Sequence, residues 1–277
     1  MIQSALTQEK YEKLLEAIRP YGSAAVAFSG GVDSTLLAYA AAEALGRENV
    51  VCVTARAAFF HERDLHGTEA FCMEQGIRHK IIDFDELGFE GFYENPANRC
   101  YICKLALFSV FKEFAGEENL NILLEGSNAE DEEDYRPGRK AVSELGVKSP
   151  LCDAGLNKED IRMILKWLGL KVWDKPSDAC LATRFPYGYE ITPDKLAMVG
   201  KAEQFLSDKG FTQVRVRIHG EACYIGRIET GADEIASLAE EPLRGEIHRY
   251  LKKLGFAWVS LDLAGYRMGS MNEGLQL

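Results

Sequence analysis

The sequence predicts an α/β protein, a parallel sheet covered by helices on both faces, followed by a smaller α+β domain. Three observations predict it. Apolar runs of strand length alternate with helix-like segments through the first half. A glycine turn joins the first strand to the first helix behind it, the connection at which a parallel sheet receives ligands. From about residue 190 the order changes to helix, two neighbouring strands, helix, strand. At 277 residues the chain exceeds one typical domain, and the composition changes between 170 and 190, which divides it into 1–180 and 181–277.

An amphipathic helix is expected over 7–19, with Tyr11, Leu14, Leu15 and Ile18 on one side and Arg19-Pro20 as its stop. The small and apolar residues 24–27 read as a buried strand. They lead into Ser29-Gly30-Gly31-Val32-Asp33-Ser34, and 35–45 has helix composition. A second strand, 49–55, carries Cys52 among valines, where a small buried thiol is expected. A helix over 62–75 ends at Gly76, and a third strand spans 79–83. Successive βαβ units then set Ala55 and Arg56 beside the Gly30-Gly31 turn, at the carboxyl ends of the strands.

A loop rich in Gly, Asn and Pro, 88–99, precedes a helix from 99 to 114 that opens Arg99-Cys100-Tyr101-Ile102-Cys103-Lys104. The strand 121–125 ends in Gly126-Ser127-Asn128, again a carboxyl-end turn. An acidic segment, 130–134, reads as a solvated loop and leads into Tyr135-Arg136-Pro137-Gly138. Residues 151–153 read as a last short strand and 158–168 as a helix. The second domain is expected to hold a helix over 193–207, antiparallel strands 213–219 and 223–229, a helix over 232–254 and a strand over 257–263.

The charge, −11, speaks against a nucleic-acid binder held by broad phosphate contacts, though not against a local basic pocket. The N-terminal residues are polar, unlike a signal peptide, and no apolar run reaches the ~20 residues that span a bilayer. A cytoplasmic protein is therefore expected, with no membrane partner. Its cysteines, Cys52, Cys72, Cys100, Cys103, Cys152, Cys180 and Cys223, are odd in number and read as thiols, ligands or nucleophiles rather than disulfides.

Four groups can carry chemistry. In the first loop Gly30 and Gly31 let backbone N–H groups approach an anion, the helix dipole favours its charge, and Ser29 and Ser34 add hydroxyls. The loop has no lysine of the kind that bridges β and γ phosphates in G-x-x-x-x-G-K-[ST]. Cys100 and Cys103 share a helix face and read as a redox pair, half of a metal site or a coincidence. With Cys180 they make three thiolates, too few for a closed zinc site without a histidine and suited to a [4Fe–4S] cluster with one iron open; alternatively the pair only packs and Cys180 acts alone. Along Val214-Arg215-Val216-Arg217 the two guanidiniums point to one face, suited to a phosphate or carboxylate or else to solvent, and Thr183 and Arg184 would extend such a pocket. Glu203 and Glu229 could hold a cation or pair with arginines at the surface.

SGGVDS resembles the PP-loop of the ATP pyrophosphatases, which release pyrophosphate and pass AMP to an acceptor oxygen. With DYRPGRKA at 134–141, CLATRFPYG at 180–188, VRVR at 214–217 and LDLAGYRMGSMN at 261–272, nearly the whole chain resembles the ATP-dependent sulfur transferases of the LarE type, which serve synthesis of the nickel-pincer nucleotide of lactate racemase. The resemblance implies a parallel-sheet, Rossmann-like PP-loop domain and adenylation of both carboxylates of pyridinium-3,5-biscarboxylic acid mononucleotide, sulfur then displacing AMP. It implies that Ser29, Gly30, Gly31, Asp33 and Ser34 hold ATP, Asp33 near Mg²⁺, with Ala55, Gly126 and Arg136 at the same site. Thr183, Arg184, Arg215 and Arg217 match substrate-phosphate positions, and Glu203 and Glu229 acidic positions near a metal. Some family members give up the sulfur of the cysteine matching Cys180; others hold a [4Fe–4S] cluster on three cysteines. Cys100, Cys103 and Cys180 resemble the second kind, with sulfide or another sulfur donor as co-substrate and a homo-oligomer, a hexamer by resemblance.

An ammonia-dependent PP-loop amidotransferase or synthetase would need no placed thiols. A tRNA-thiolating relative fits the acidic charge poorly and lacks an RNA-binding module. A non-enzymatic nucleotide or iron–sulfur scaffold would leave the Arg215 and Arg217 face as mere surface.

Overall fold

The structure, a computed structural model, describes residues 2–85, 88–89, 91–132, 138–176, 179–267 and 269–272. Two compact units form, one from residues 1–89 and 98–178, the other from 90–97 and 179–277. No described helix is long and apolar enough to cross a membrane.

In the first unit α1 (Ile2–Ile18) leads to β1 (Ala24–Ala27), α2 (Val32–Leu45), β2 (Val50–Arg56), α3 (Glu62–Gln75), β3 (Arg78–Asp83), α4 (Arg99–Glu117), β4 (Ile122–Leu124), α5 (Gly138–Glu144), α6 (Pro150–Asp153) and α7 (Lys158–Trp167). The strands lie in the order β3-β2-β1-β4 and every pair is parallel. Ala24, Val26, Val50, Cys52 and Leu124 pack with the apolar faces of α1, α2 and α7 in one buried cluster. Ala25, Val51, Val53 and Leu123, one residue out of phase, therefore face the other way. Each buried Leu, Ile or Val stabilises this layer by roughly 1.5–3 kcal/mol. Cys52 lies in the same core against Cys72; the hydrogen bond between the thiols, with burial, pushes the Cys52 pKa well up.

Strand order reverses at β1. β2 and β3 are added on one side of it and β4 on the other, so the loops leaving β1 and β4 diverge and open a crevice at their carboxyl ends. Residues 151–153 are not the expected last strand. The sheet is extended earlier, by a single parallel bridge at Lys148, whose N–H donates to Leu123 O at 3.0 Å and whose carbonyl accepts from Glu125 N at 2.9 Å. Pro150 has no N–H to continue that ladder and opens α6 instead.

The second unit contains α8 (Pro193–Asp208), β5 (Arg215–His219), β6 (Ile225–Glu229), α9 (Ile235–Leu238), α10 (Leu243–Leu254) and β7 (Trp258–Leu261). β5 and β6 are antiparallel and β6 and β7 parallel, in the order β5-β6-β7. The single helix expected over 232–254 is two, because Pro242 caps α10 and separates it from α9. Val216, Ile218 and Ile228 are buried on one face of the sheet. Gly226 lies flat there against Phe256, where a Cβ would come within 3.0 Å of the ring.

Residues 90–97 belong to this unit through a buried asparagine. Asn95 takes a left-handed backbone, φ 52°, its carbonyl accepts from Gly188 N at 2.9 Å, and its Nδ2 donates to Pro186 O at 2.7 Å. Tyr93 O accepts from Ile191 N at 2.9 Å. A strap from before α4 thus holds the Phe185-Pro186-Tyr187-Gly188 turn.

Candidate functional site

In the first unit the residues between β1 and α2 form a loop braced by its own serines. Ser34 Oγ donates to Gly31 O at 3.2 Å and lies 3.1 Å from Ser29 Oγ, which accepts from Gly31 N at 3.4 Å. Gly30 has φ +68°, and a Cβ there would lie 3.0 Å from Thr68 Cγ2. The loop is anchored to the sheet where Phe28 N meets Val53 O at 2.9 Å and Thr54 Oγ1 donates to Phe28 O at 2.8 Å, which brings Ala55 to the same end. Thr54 Oγ1 also lies 2.8 Å from His79 Nε2, and burial pushes the His79 pKa down.

The turn after β4 presses against this loop. A Cβ on Gly126 would lie 3.1 Å from Ser34 N and 3.3 Å from its Cα, so any side chain there would press the loop backbone back by a few tenths of an ångström. Next to it Glu125 is buried, accepting from Ser127 N, Ser127 Oγ and Ser149 Oγ and pairing with Lys104 Nζ at 3.6 Å. Asp131, also buried, accepts from Asn128 N at 3.1 Å.

Asp33 stands at the first turn of α2. Its Oδ2 pairs with Lys158 Nζ, while Oδ1, buried, has no hydrogen-bond partner among the described residues. Burial raises the Asp33 pKa; Lys158 opposes the rise, Asp131 adds to it and Arg162 opposes it. An orphaned carboxylate oxygen costs about 1–3 kcal/mol, and an oxygen-seeking cation such as Mg²⁺ would satisfy it. Lys175 reaches the other end of the loop, donating to Gly30 O at 3.1 Å and to Asp64 Oδ1 at 2.9 Å. Its own carbonyl, with that of Trp173, is held by Arg162 on α7.

These lysines escape the sequence motifs. One trace of Lys158 is legible: it occupies the first turn of α7, where the helix dipole disfavours a cation by about 0.3–1 kcal/mol.

Cys100 is exposed and Cys103 half-buried on the first turn of α4, in the first unit; Cys180, half-buried, begins the second. Among the described residues no three His, Cys, Asp or Glu side chains gather as a metal set. Gly138 lies against Lys104 and the Cys100 carbonyl, the latter 3.4 Å from where a Cβ would stand. Arg136 lies outside the described residues.

In the second unit Arg215 and Arg217 do share a face of β5, but that face is buried. Arg217 donates through Nε and Nη2 to Glu229 Oε2, at 3.0 and 2.8 Å, and through Nη1 to Thr183 O at 3.0 Å. Arg215 lies over the Tyr266 ring, 5.2 Å from its centroid. Arg184, wholly buried, makes a fork with Glu203 at 2.7 and 2.9 Å and bonds Thr183 Oγ1 and Ala179 O. The Cys180 carbonyl accepts from Thr183 N and Thr183 Oγ1, so the cysteine opens a tightly bonded turn.

The expectation for Glu203 and Glu229 is a metal or surface pairs, and the structure gives both to buried arginines. Glu203 Oε1 also takes Val216 N at 2.8 Å. Glu229 Oε1 takes Ser270 Oγ at 2.9 Å and Arg227 at 3.1 Å, so each of the four oxygens has a protein partner. The covering layer over the arginines is the C-terminal segment: Tyr266, Ser270 and Met271, whose Sδ meets Arg227 at 3.5 Å. Arg227 also pairs with Asp262, as does Arg267. Among the described residues, Arg184, Arg217, Arg227 and Arg267 thus pair with three carboxylates, Glu203, Glu229 and Asp262, and Arg215 lies beside them over Tyr266.

Two full-length relatives bear on this arrangement. The chain is 38% identical over 270 residues to an uncharacterized protein of Synechocystis sp., covering 98% of this chain and 99% of that one. It is 36% identical over 266 residues to the pyridinium-3,5-bisthiocarboxylic acid mononucleotide synthase of Lactiplantibacillus plantarum, covering 96% and 95%. The chain belongs to the LarE family. Residues 8–94 also match the NAD synthase family, the stretch that includes the glycine loop. Similarity to a subunit of the glutamine-hydrolysing GMP synthase of Methanopyrus kandleri, 26% over 206 residues, covers 67% of this chain and 63% of that one. The NAD synthase match thus takes in β1, β2 and β3 of the first unit, and the LarE family likeness runs through both units.

Proposed function

We propose that the protein adenylates the carboxylates of pyridinium-3,5-biscarboxylic acid mononucleotide and converts them to thiocarboxylates. The observation that carries this reading is the loop between β1 and α2: backbone N–H groups and two serine hydroxyls at a helix start, a glycine pressed against it from β4, and a carboxylate oxygen on Asp33 with no partner among the described residues. Full-length likeness to a bisthiocarboxylic acid mononucleotide synthase supplies the substrate class.

Ser29, Gly30, Gly31 and Ser34 hold the ATP phosphates, with Ala55, Gly126 and Arg136 at the same site, and Asp33 would hold Mg²⁺, which would supply positive charge against the pyrophosphate oxygens. A substrate carboxylate oxygen attacks the α-phosphorus and pyrophosphate departs. Sulfur then attacks the acyl carbon, the bond to the AMP oxygen breaks, and a thiocarboxylate and AMP result. The cycle runs once per carboxylate. Thr183, Arg184, Arg215 and Arg217, which match the family's substrate-phosphate positions, hold the substrate phosphate.

Cys100 and Cys103, thiols on one turn of a helix with one of them exposed, suit two ligands of a [4Fe–4S] cluster, and Cys180 is the third. When bound, such a cluster would supply an open iron for a replaceable hydrosulfide, and the donor would be sulfide or a sulfur-carrying co-substrate. The test measures AMP and product mass with the biscarboxylate nucleotide and sulfide, with ammonia, and with tRNA. Thiocarboxylate formed only with sulfide supports the reading; AMP formed only with ammonia overturns it. The mass of the protein after turnover separates the two sulfur sources: unchanged for the cluster route, lower by one sulfur at Cys180 for the sacrificial one. Anaerobic reconstitution should give an iron–sulfur absorption that is lost in Cys100→Ala, Cys103→Ala and Cys180→Ala.

A further inference from the structure

We infer that Lys158 is a positioning residue that stands in for the divalent cation at Asp33 while the nucleotide site is empty and gives way to it when the metal and ATP bind. The inference rests on the nucleotide reading of the loop and goes beyond it by assigning a residue outside every motif.

Three observations carry it. Asp33 offers one oxygen to Lys158 and keeps the other buried with no partner among the described residues, an arrangement half complete for a carboxylate. Lys158 sits in the first turn of α7, but the helix does not need its charge there. The capping box does that work, Asp160 N donating to Asn157 Oδ1 at 2.8 Å and Asn157 N to Asp160 Oδ2 at 3.4 Å. The third observation is the contrast with Arg162, one turn further on the same face. Arg162 is tied to two backbone carbonyls, whereas among the described residues the Lys158 ammonium meets Asp33 alone, and its side chain is about a third exposed. A single flexible ammonium is easily exchanged; a guanidinium forked onto two carbonyls is not.

Exchange also balances charge. With Lys158 on Asp33 the carboxylate is neutralised by one positive charge. Once the ammonium swings away, both Asp33 oxygens are open to a divalent cation whose remaining charge the nucleotide phosphates balance, and the released ammonium is free to meet phosphate oxygens.

Mn²⁺ titration of the full-length protein, followed by the EPR signal of free Mn²⁺, tests this. Without nucleotide, Lys158→Met should bind Mn²⁺ at least five-fold more tightly than the wild type, because the competing ammonium is gone, while Lys158→Arg should bind no more tightly than the wild type. With a non-hydrolysable ATP analogue present, the gap between Lys158→Met and wild type should close to within two-fold or reverse. Lys158→Gln serves if the Met variant melts early. A folded Lys158→Met or Lys158→Gln that binds Mn²⁺ no more tightly than wild type overturns the stand-in role. Failure of the wild type to bind the Mn²⁺ complex of the analogue overturns the nucleotide reading itself, so the two failures are distinct.

Discussion

The two units bury charge in opposite ways. In the first, the glycine loop is held at both ends by lysines: Lys158 on Asp33 and Lys175 on Gly30 O, each about a third exposed, with a carboxylate oxygen left over. In the second, arginines are fully inside, forked onto Glu203 and Glu229, and every oxygen of those two carboxylates is taken. The difference teaches what each region is built for. Lysine is a hydrated point charge that exchanges partners readily, so the loop can change what it holds. Arginine in a bidentate fork fixes geometry, so the second network is a rigid frame.

The sharpest way to break this contrast is to remove one buried partner. Glu203→Ala strands the Arg184 guanidinium and should destabilise the second unit by about 3–5 kcal/mol, read as a lower urea midpoint in Trp258 fluorescence; a loss under about 1 kcal/mol would mean water reaches the pair. Gly30→Ala comes next. Its left-handed backbone costs an L-residue roughly 1–2 kcal/mol and its Cβ meets Thr68, so ATP affinity should fall at least ten-fold with a much smaller change in melting. Unchanged affinity would show that the loop conformation is not what holds the phosphates. Ser270→Ala tests how tightly the C-terminal segment completes the frame: Arg217 and Glu229 each lose a buried partner, for a cost of about 1–3 kcal/mol in the same urea titration.

The smallest effect is a pH dependence in the second unit. His219 lies half-buried near Arg227 and Arg217; burial first and then those guanidiniums push its pKa down, with Glu229 partly opposing them. The unfolded chain, with an ordinary histidine pKa near 6.5, then binds the proton more readily than the folded one. Melting temperature should fall as the pH drops below about 6.5, and His219→Gln should flatten that slope. An unchanged slope in the variant would assign the acid sensitivity elsewhere, His79 in the first unit being the next group to replace.

Much of the fold was legible because it is carried by local signals. The parallel strands read as apolar runs, and α3 (Glu62–Gln75) ends at Gly76 as its helix stop implies. Two elements differ from what the sequence predicts. Lys148 joins the sheet by one bridge, too short to leave a pattern, and Pro150 directly after it starts a helix. Pro242 interrupts an otherwise periodic stretch, a breaker visible in the sequence but outweighed there by the periodicity around it. Alternation along β5 put Arg215 and Arg217 on one face, but alternation alone cannot say that a segment fifty residues on will cover that face. The roles of Lys158, Lys175 and Asn95 stood outside every motif for a related reason. Their partners lie far along the chain, and a lysine or asparagine in a polar stretch has no periodicity to betray it.

The strap at 90–97 has a consequence for how the molecule comes into being. Asn95 leaves the ribosome more than eighty residues ahead of Phe185 and Pro186, the segment whose carbonyls its side chain engages. The second unit therefore cannot close while the first is being made. A fragment beginning at residue 179 would lack the asparagine that organises its opening turn, and supplying residues 90–97 as a separate peptide should restore what the fragment lacks.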